Sequence, residues 1–401
     1  MKKIFALALA LVMTVLVFAG CNGNNEAADG KKDLSNVKIG LICLHDENST
    51  YDNNFIQALK AAQAELGLKD DQVLIKTNIG ENDACYNAAA ELAEAGCNIV
   101  FADSFGHETY MIQAAKEFKD VQFCHATGTK AHTENIANYH NAFAEIYKGR
   151  YLAGVAAGMK LNEMISTGKI TADKAVIGYV GAFNYAEVVS GLTSFFLGAR
   201  SICPSATMKV TYTNSWFDIA LEREAALKLI NSGCVLISQH ADSEGAPKAC
   251  EEKGIVNVAY NISTISMGPN TALISSKINW TPYFKLIINS VVSGVAIATD
   301  FCGTMADDYV QLTELNTKVA APGTQEKLDE IKAKLISGEI KVFDTSAFTY
   351  KNAPLTTYTA DVDDAGDFVP ETEVVINGEF SESSKRSAPY FDIKYIDGIS
   401  E

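Results

Sequence analysis

From position 38 onward, short runs of aliphatic and β-branched residues alternate with longer stretches whose apolar residues recur every three or four positions. VKIGLICL reads as a buried strand, and FIQALKAAQAELG as a helix with Ile56, Leu59 and Leu66 on one side and Gly67 as its stop. The pair recurs as DQVLIKTN with CYNAAAELAEAG, and as NIVFADS with TYMIQAAKEFKD, before VQFCHATG. Strands separated by single helices imply a parallel sheet covered on both faces. After the helix-like GRYLAGVAAGMKL the rhythm restarts near Ala175, with KAVIGYVGAF, MKVTYTN, CVLISQHAD and IVNVAYN as strands. The pattern predicts an α/β protein of two doubly wound parallel-sheet lobes. TALISSKI and its helix PYFKLIINSVVSG are expected to cross back to the first lobe, and the less regular chain beyond position 304 to wrap the second. The expected division is 37–150 for the first lobe with a crossover at about 262–300, and 151–261 for the second, completed by about 301–401.

Open parallel sheets bind ligands outside the carboxyl ends of their strands. Here those ends are LHDENSTYDNN, ADSFGHE, HATGTK, GAFNYAE, TNSWFDI, HADSEGA and YNISTIS, each rich in aromatic, Asp, Asn, Ser or His residues. If the two lobes turn these edges toward each other, Tyr51, Phe105, Phe183, Trp216 and Phe217 line the cleft between them. One aromatic at a loop edge is ordinarily a packing residue. Five at successive strand ends favour a flat ligand held between ring faces, a purine or a sugar.

The chain begins with two lysines and an apolar stretch from Ile4 to Ala19, followed by Gly20 and Cys21. This is the pattern of a secretory signal in residues 1–20, with Cys21 placed for acylation as in a bacterial lipobox. Residues 22–36 are small and polar, a flexible linker after the lipidated cysteine. No later segment is long and apolar enough to span a bilayer, so the expected attachment is a lipid anchor on the outer face of the cell membrane. Without residues 1–20 the chain has 31 Lys and Arg against 49 Asp and Glu, a net charge of −18. That balance argues against nucleic-acid binding, which needs a basic footprint. Eight further cysteines are scattered without CxxC or zinc-like spacing, and read as small buried hydrophobes; a Cys85–Cys97 disulfide stays open.

No dinucleotide or P-loop fingerprint follows the first strand, and HExxH and GxSxG are absent. His45 beside Asp46, and His240 near Asp242, could serve acid–base chemistry, but neither has an evident nucleophile. No catalytic residue, metal or cofactor is therefore expected.

The stretches FADSFGHE, FCHATGTK, YKGRYLAGVAAGMK, IGYVGAF, LGARSICP, TNSWFDIALEREAA and ISQHADS together resemble the basic membrane protein (BMP) family of ABC-transporter substrate-binding lipoproteins, over residues 38–303. The resemblance implies a type I periplasmic-binding-protein fold and delivery of a small molecule to a permease and ATPase by a monomeric, non-enzymatic binder. It implies a purine base held between Tyr51 and Trp216, with Asp52 where the family has a ligand-binding Asn. It also places Asn261 and Asn279 where nucleoside binders have an Asp and a Lys for the ribose, with Lys277 two residues before Asn279. Loss of both charged partners favours a free base such as adenine or hypoxanthine over a nucleoside. Asp52, Ser104 or Asp242 would then read the base edge and Trp280 would fill the sugar's space. His125 in FCHATGTK, with His45, Phe217 and His240, completes the candidate set. The rival readings are a nucleoside carrier, a sensory receptor of the same fold and a sugar receptor. An exported nucleoside hydrolase using Asp46, Asp52, Asp103 and Asp242 lacks the metal-binding Asp cluster it would need.

Overall fold

A computed structural model describes residues 33–362 and 369–401. The predicted signal and Cys21 lie outside them. The chain from Leu34 to Glu401 forms one compact unit. Among the described residues no helix is long and apolar enough to cross a membrane.

The first half runs β1 (Ile39–Ile42), α1 (Thr50–Leu66), β2 (Val73–Lys76), α2 (Asp83–Glu94), β3 (Ile99–Ala102), α3 (Glu108–Glu117), β4 (Gln122–Ala126), α4 (Ala131–Glu134), β5 (Tyr139–Ala144) and α5 (Ile146–Ser166). Then come β6 (Val176–Gly181), α6 (Ala186–Ile202), β7 (Thr207–Tyr212), α7 (Ile219–Asn231), β8 (Leu236–His240), α8 (Gly245–Lys253) and β9 (Val256–Tyr260). The chain continues through β10 (Ala272–Ile278), α9 (Thr281–Ser293), β11 (Asp300–Gly303), β12 (Val310–Leu312) and α10 (Thr324–Ser337). Two sheets result, ordered β11-β5-β4-β3-β1-β2 and β12-β10-β9-β8-β6-β7, and the latter gains the terminal Ile399–Ser400 strand beside β7. All pairings in them are parallel except β12 on β10. The near-continuous apolar strands of the sequence are what such doubly covered sheets require.

Local signals act where the pattern placed them. Ser49 caps α1 by accepting from the Asp52 N–H, and Gly67 ends that helix at φ 70°, a left-handed position open to glycine. In the second lobe α5 and α6 cross so closely that a Cβ on Gly154 would come within 2.0 Å of the Phe195 carbonyl oxygen, and one on Gly198 within 2.0 Å of that of Tyr151.

Two boundary expectations are corrected. TALISSKI forms β10 inside the second sheet, between β9 and β12, and the chain crosses only afterwards, so that α9 packs on α1 and β3 of the first lobe. A strand buried on both faces carries no mark of which sheet it joins; hydrogen bonding along β9 decides it. β11 then joins the first sheet beside β5 rather than completing the second lobe. The lobes are thus linked by three crossings, after β5, after β10 and between β11 and β12. All eight cysteines of the described residues are free thiols, Cys85 and Cys97 included.

Candidate functional site

Both sheets present their carboxyl ends to one cavity. It is walled by Leu44, His45, Tyr51, Asp52, Ser104, Phe105 and Thr127 from the first lobe and by Glu187, Trp216, His240 and Asp242 from the second. With its open mouth the space is about 360 Å³. The lobes also touch directly. The Thr50 N–H at the start of α1 donates to the Asp242 carbonyl oxygen at 2.7 Å. His45 lies against Phe217 (ring centroids 5.2 Å apart) and Phe105 against Tyr185 (5.7 Å).

On the first-lobe side, Tyr51 in the first turn of α1 is held by donating its hydroxyl to the Asp103 carbonyl oxygen at 2.8 Å. Asp52, 1% exposed, accepts from the His45 N–H at 2.8 Å and the Ser49 hydroxyl at 2.5 Å, with His45 Nδ1 3.5 Å away. Burial opposes its ionisation, but the hydrogen bonds from His45 and Ser49 outweigh it and hold Asp52 below the usual carboxylate range. Asp103 beside it is driven the other way, by complete burial and then by the Asp52 charge. Like charges this close cannot both ionise cheaply, and the cost falls on Asp103.

On the second-lobe side, the loop from β7 to α7 carries Trp216, whose carbonyl oxygen accepts from the Asp242 N–H at 2.9 Å. The Phe183 ring packs edge-on against Trp216 at 4.9 Å and stacks on Tyr185 at 5.0 Å. Glu222 of α7 ties the two loops together, accepting from the Asp218 N–H at 3.2 Å and from the Ser243 N–H at 3.1 Å. Asp242 is 5% exposed and receives one long bond, 3.4 Å, from Asn261 Nδ2. Burial, then the charges of Glu222, Asp52 and Glu187, push its carboxyl well up. His240 approaches Glu187 at 3.4 Å, and burial reinforced by the Arg150 guanidinium pushes its imidazole down to about 4.

Eight of the sequence candidates therefore line the cavity: His45, Tyr51, Asp52, Ser104, Phe105, Trp216, His240 and Asp242. Phe183, Phe217 and Asn261 stand one layer behind, against Trp216, His45 and Asp242. His125 is buried and donates to the Ser104 carbonyl oxygen at 2.7 Å, a supporting contact. Three candidates lie elsewhere. Asn279 bonds the Asp308 carbonyl oxygen at a lobe crossing, Lys277 sits on β10 opposite Gln311, and Trp280, 2% exposed, stacks on Phe55 in the first-lobe core. The turn that carries the chain out of the second lobe after β10 takes Trp280 into that core and away from any sugar space. Leu44, Thr127 and Glu187 were not singled out by sequence reasoning. Thr127 has φ 63°, an unusual position for a β-branched residue, but no sequence signal marks it.

Cys43, Asp52 and Asp103 are the three residues of the described chain close enough to share a metal ion. Burial pushes both the Cys43 thiol and the Asp103 carboxyl up, which opposes the deprotonation that metal binding requires.

Two α/β lobes joined by three crossings, closing their strand ends over a small aromatic and acidic cavity, define a solute-binding protein of the periplasmic type. The chain belongs to the Bmp family, ABC transporter substrate-binding proteins described as PnrA-like, whose model matches residues 39–346. It is 32% identical over 311 residues to a purine-binding protein of Brucella abortus, spanning 77% of this chain and 83% of that one. It is 34% identical over 261 residues, 64% of this chain and 62% of the other, to a putative ABC transporter glucose-binding protein of Haloferax volcanii. Among solved structures, an ABC transporter solute-binding protein of Conexibacter woesei superposes with a TM-score of 0.62 at 19% identity, over 76% of this chain and 98% of that one, a likeness of fold. Members of this class bind small molecules outside the cytoplasm, at the membrane, and work with permease and ATPase partners; they are binders, not enzymes.

Proposed function

We propose that this protein captures a purine, a free base in preference to a nucleoside, and passes it to an ABC importer. The observation that carries the reading is that Tyr51 and Trp216, from opposite lobes, wall the same small cavity together with Asp52 and Asp242. A flat heterocycle can stack between two rings while polar strand ends meet its donors and acceptors. The purine-binding relative in Brucella agrees with it. A free base is preferred because Asn279 and Lys277, the residues nearest the family's ribose-binding lysine, lie outside the cavity. Lobe closure presents the permease with a loaded shape, and the protein acts as a monomer tethered through acylated Cys21. A Cys21→Ser variant is expected in the soluble fraction; continued membrane attachment would refute the anchor.

A sugar is the second reading, favoured by the likeness to the putative glucose-binding protein of Haloferax volcanii and by the aromatic walls, which also suit pyranose rings. Isothermal titration of the stripped protein with adenine, hypoxanthine, adenosine, inosine, ribose and glucose separates the two. Binding of a base without its nucleoside supports the proposal. Binding of glucose alone supports the sugar reading, and binding of nucleosides alone restores a ribose site.

A further inference from the structure

We propose that the cavity selects a purine edge bearing two adjacent N–H donors, the 2-amino-6-oxo pattern of guanine, and that the Asp242 carboxylate reads that edge. This rests on the purine reading above.

The wall's hydroxyl donors are already committed to the protein. Tyr51 donates to the Asp103 carbonyl oxygen, Ser104 to Glu81 at 2.6 Å and Thr127 to the Ala126 carbonyl oxygen at 2.6 Å. No lysine or arginine is among the residues that line the cavity. Acceptors are left over. Both oxygens of Asp52 are engaged, but Asp242 has only the 3.4 Å bond from Asn261, and Glu187 only the 3.4 Å approach of His240. Asp242 is also the better placed of the two. Its N–H is fixed by the Trp216 carbonyl and its carbonyl by the Thr50 N–H, so its backbone is pinned from both lobes beside the stacking ring.

A buried carboxylate short of donors is satisfied by two parallel N–H groups, the bidentate arrangement that carboxylates favour. Guanine supplies them from ring N1 and the 2-amino group. Hypoxanthine lacks the amino donor, xanthine replaces it with a carbonyl oxygen, and adenine sets an unprotonated ring nitrogen beside its amino group. Each of these leaves a buried acceptor unpaired or opposed to another acceptor, the mismatch that binding sites reject most strongly. Burial among other acids disfavours an ionised Asp242, and paired ligand donors counter that.

The test is isothermal titration of the full chain with guanine, hypoxanthine, xanthine and adenine, repeated on Asp242→Asn. Guanine is expected to bind at least tenfold tighter than the other three, and Asp242→Asn to erase that margin. Equal affinity for hypoxanthine, the pattern a protonated Asp242 would give, overturns the inference and leaves the purine reading intact. So does a guanine margin that survives in Asp242→Asn. The ligand series on the unaltered protein decides the matter even if that variant does not fold. Failure of all four bases to bind overturns the purine reading and this inference with it.

Discussion

Replacing Trp216 by alanine separates a stacking platform from a packing residue. The side chain touches Phe183 edge-on at 4.9 Å and Tyr185 at 6.0 Å, and its ring is partly buried against the second-lobe core. The backbone contact that matters to the site, from the Asp242 N–H to the Trp216 carbonyl oxygen, does not depend on the side chain and survives the substitution. The loss in binding is therefore chiefly the loss of a stacked ring, about 1–3 kcal/mol for a base on an aromatic. That is roughly a 5- to 150-fold rise in Kd. Trp216→Phe keeps a ring face and should recover most of the loss, whereas a residue needed only for packing would be measured in the melting temperature of the empty protein. Titration of the tightest-binding base against wild type, Trp216→Ala and Trp216→Phe, beside their thermal melts, supplies both readouts. An alanine variant that binds within twofold of wild type while melting lower would remove Trp216 from the ligand site and return it to the core.

Two further substitutions test the frame around the site. Burial, partly offset by hydrogen bonds from Ser243 and Asp218, raises Glu222 to about 7 from an ordinary 4.5. Its folded pKa lies above its unfolded one, so its contribution to stability is complete below pH 4.5 and is lost as the pH rises through 7. Glu222→Gln should therefore lose the part of the fall in stability between pH 5 and 8 that wild type owes to this group, at most about 3 kcal/mol; parallel denaturation curves for the two proteins across that range would refute it. Gly198→Ala would set a methyl 2.0 Å from the Tyr151 carbonyl oxygen and force α5 and α6 apart, at a cost of about 1–3 kcal/mol or more in chemical denaturation. An unchanged midpoint would mean that the helix crossing relaxes freely.

Much of this site was legible because parallel sheets make the position of a residue along the chain stand for its place in space. Ser104, Phe105, Trp216 and Asp242 follow their strands by two to four residues, Tyr51 and Asp52 open the helix that follows β1, and the rule that strand ends face the ligand brings them together. Trp280 obeys the same rule and is the exception. It follows β10 as closely as Trp216 follows β7, but the chain leaves the second lobe at that point and carries the indole into the packing of Phe55 and Phe101. Nothing in a run such as ALISSKI says which sheet it will join, so neither the crossing nor the fate of the next residue could be read. Glu187 escaped for a different reason. An acid in the first turn of a helix reads as a partner for the helix dipole, and only the rotation of α6 about its axis turns it toward His240 and the cavity. Glu222 looks like one more solvated charge on an amphipathic helix until the two loops it joins are seen.

The contact from Thr50 to Asp242 ties recognition to closure. The first N–H groups of a helix have no partner within it, and in α1 the Thr50 N–H finds one only on the opposite lobe. With the lobes apart, water would take that place, so the bond itself adds about 1 kcal/mol or less to the closed state. Its effect lies in position. The residue whose carbonyl oxygen accepts it also bears a carboxyl that lines the cavity, and the N–H of that same residue rests on the carbonyl of Trp216. Closing the lobes therefore fixes the ring, the carboxyl and the mouth of the first-lobe helix in one step. A ligand that fits all three stabilises the closed form by its differential affinity for it, and a ligand that meets only one lobe leaves the equilibrium where it was.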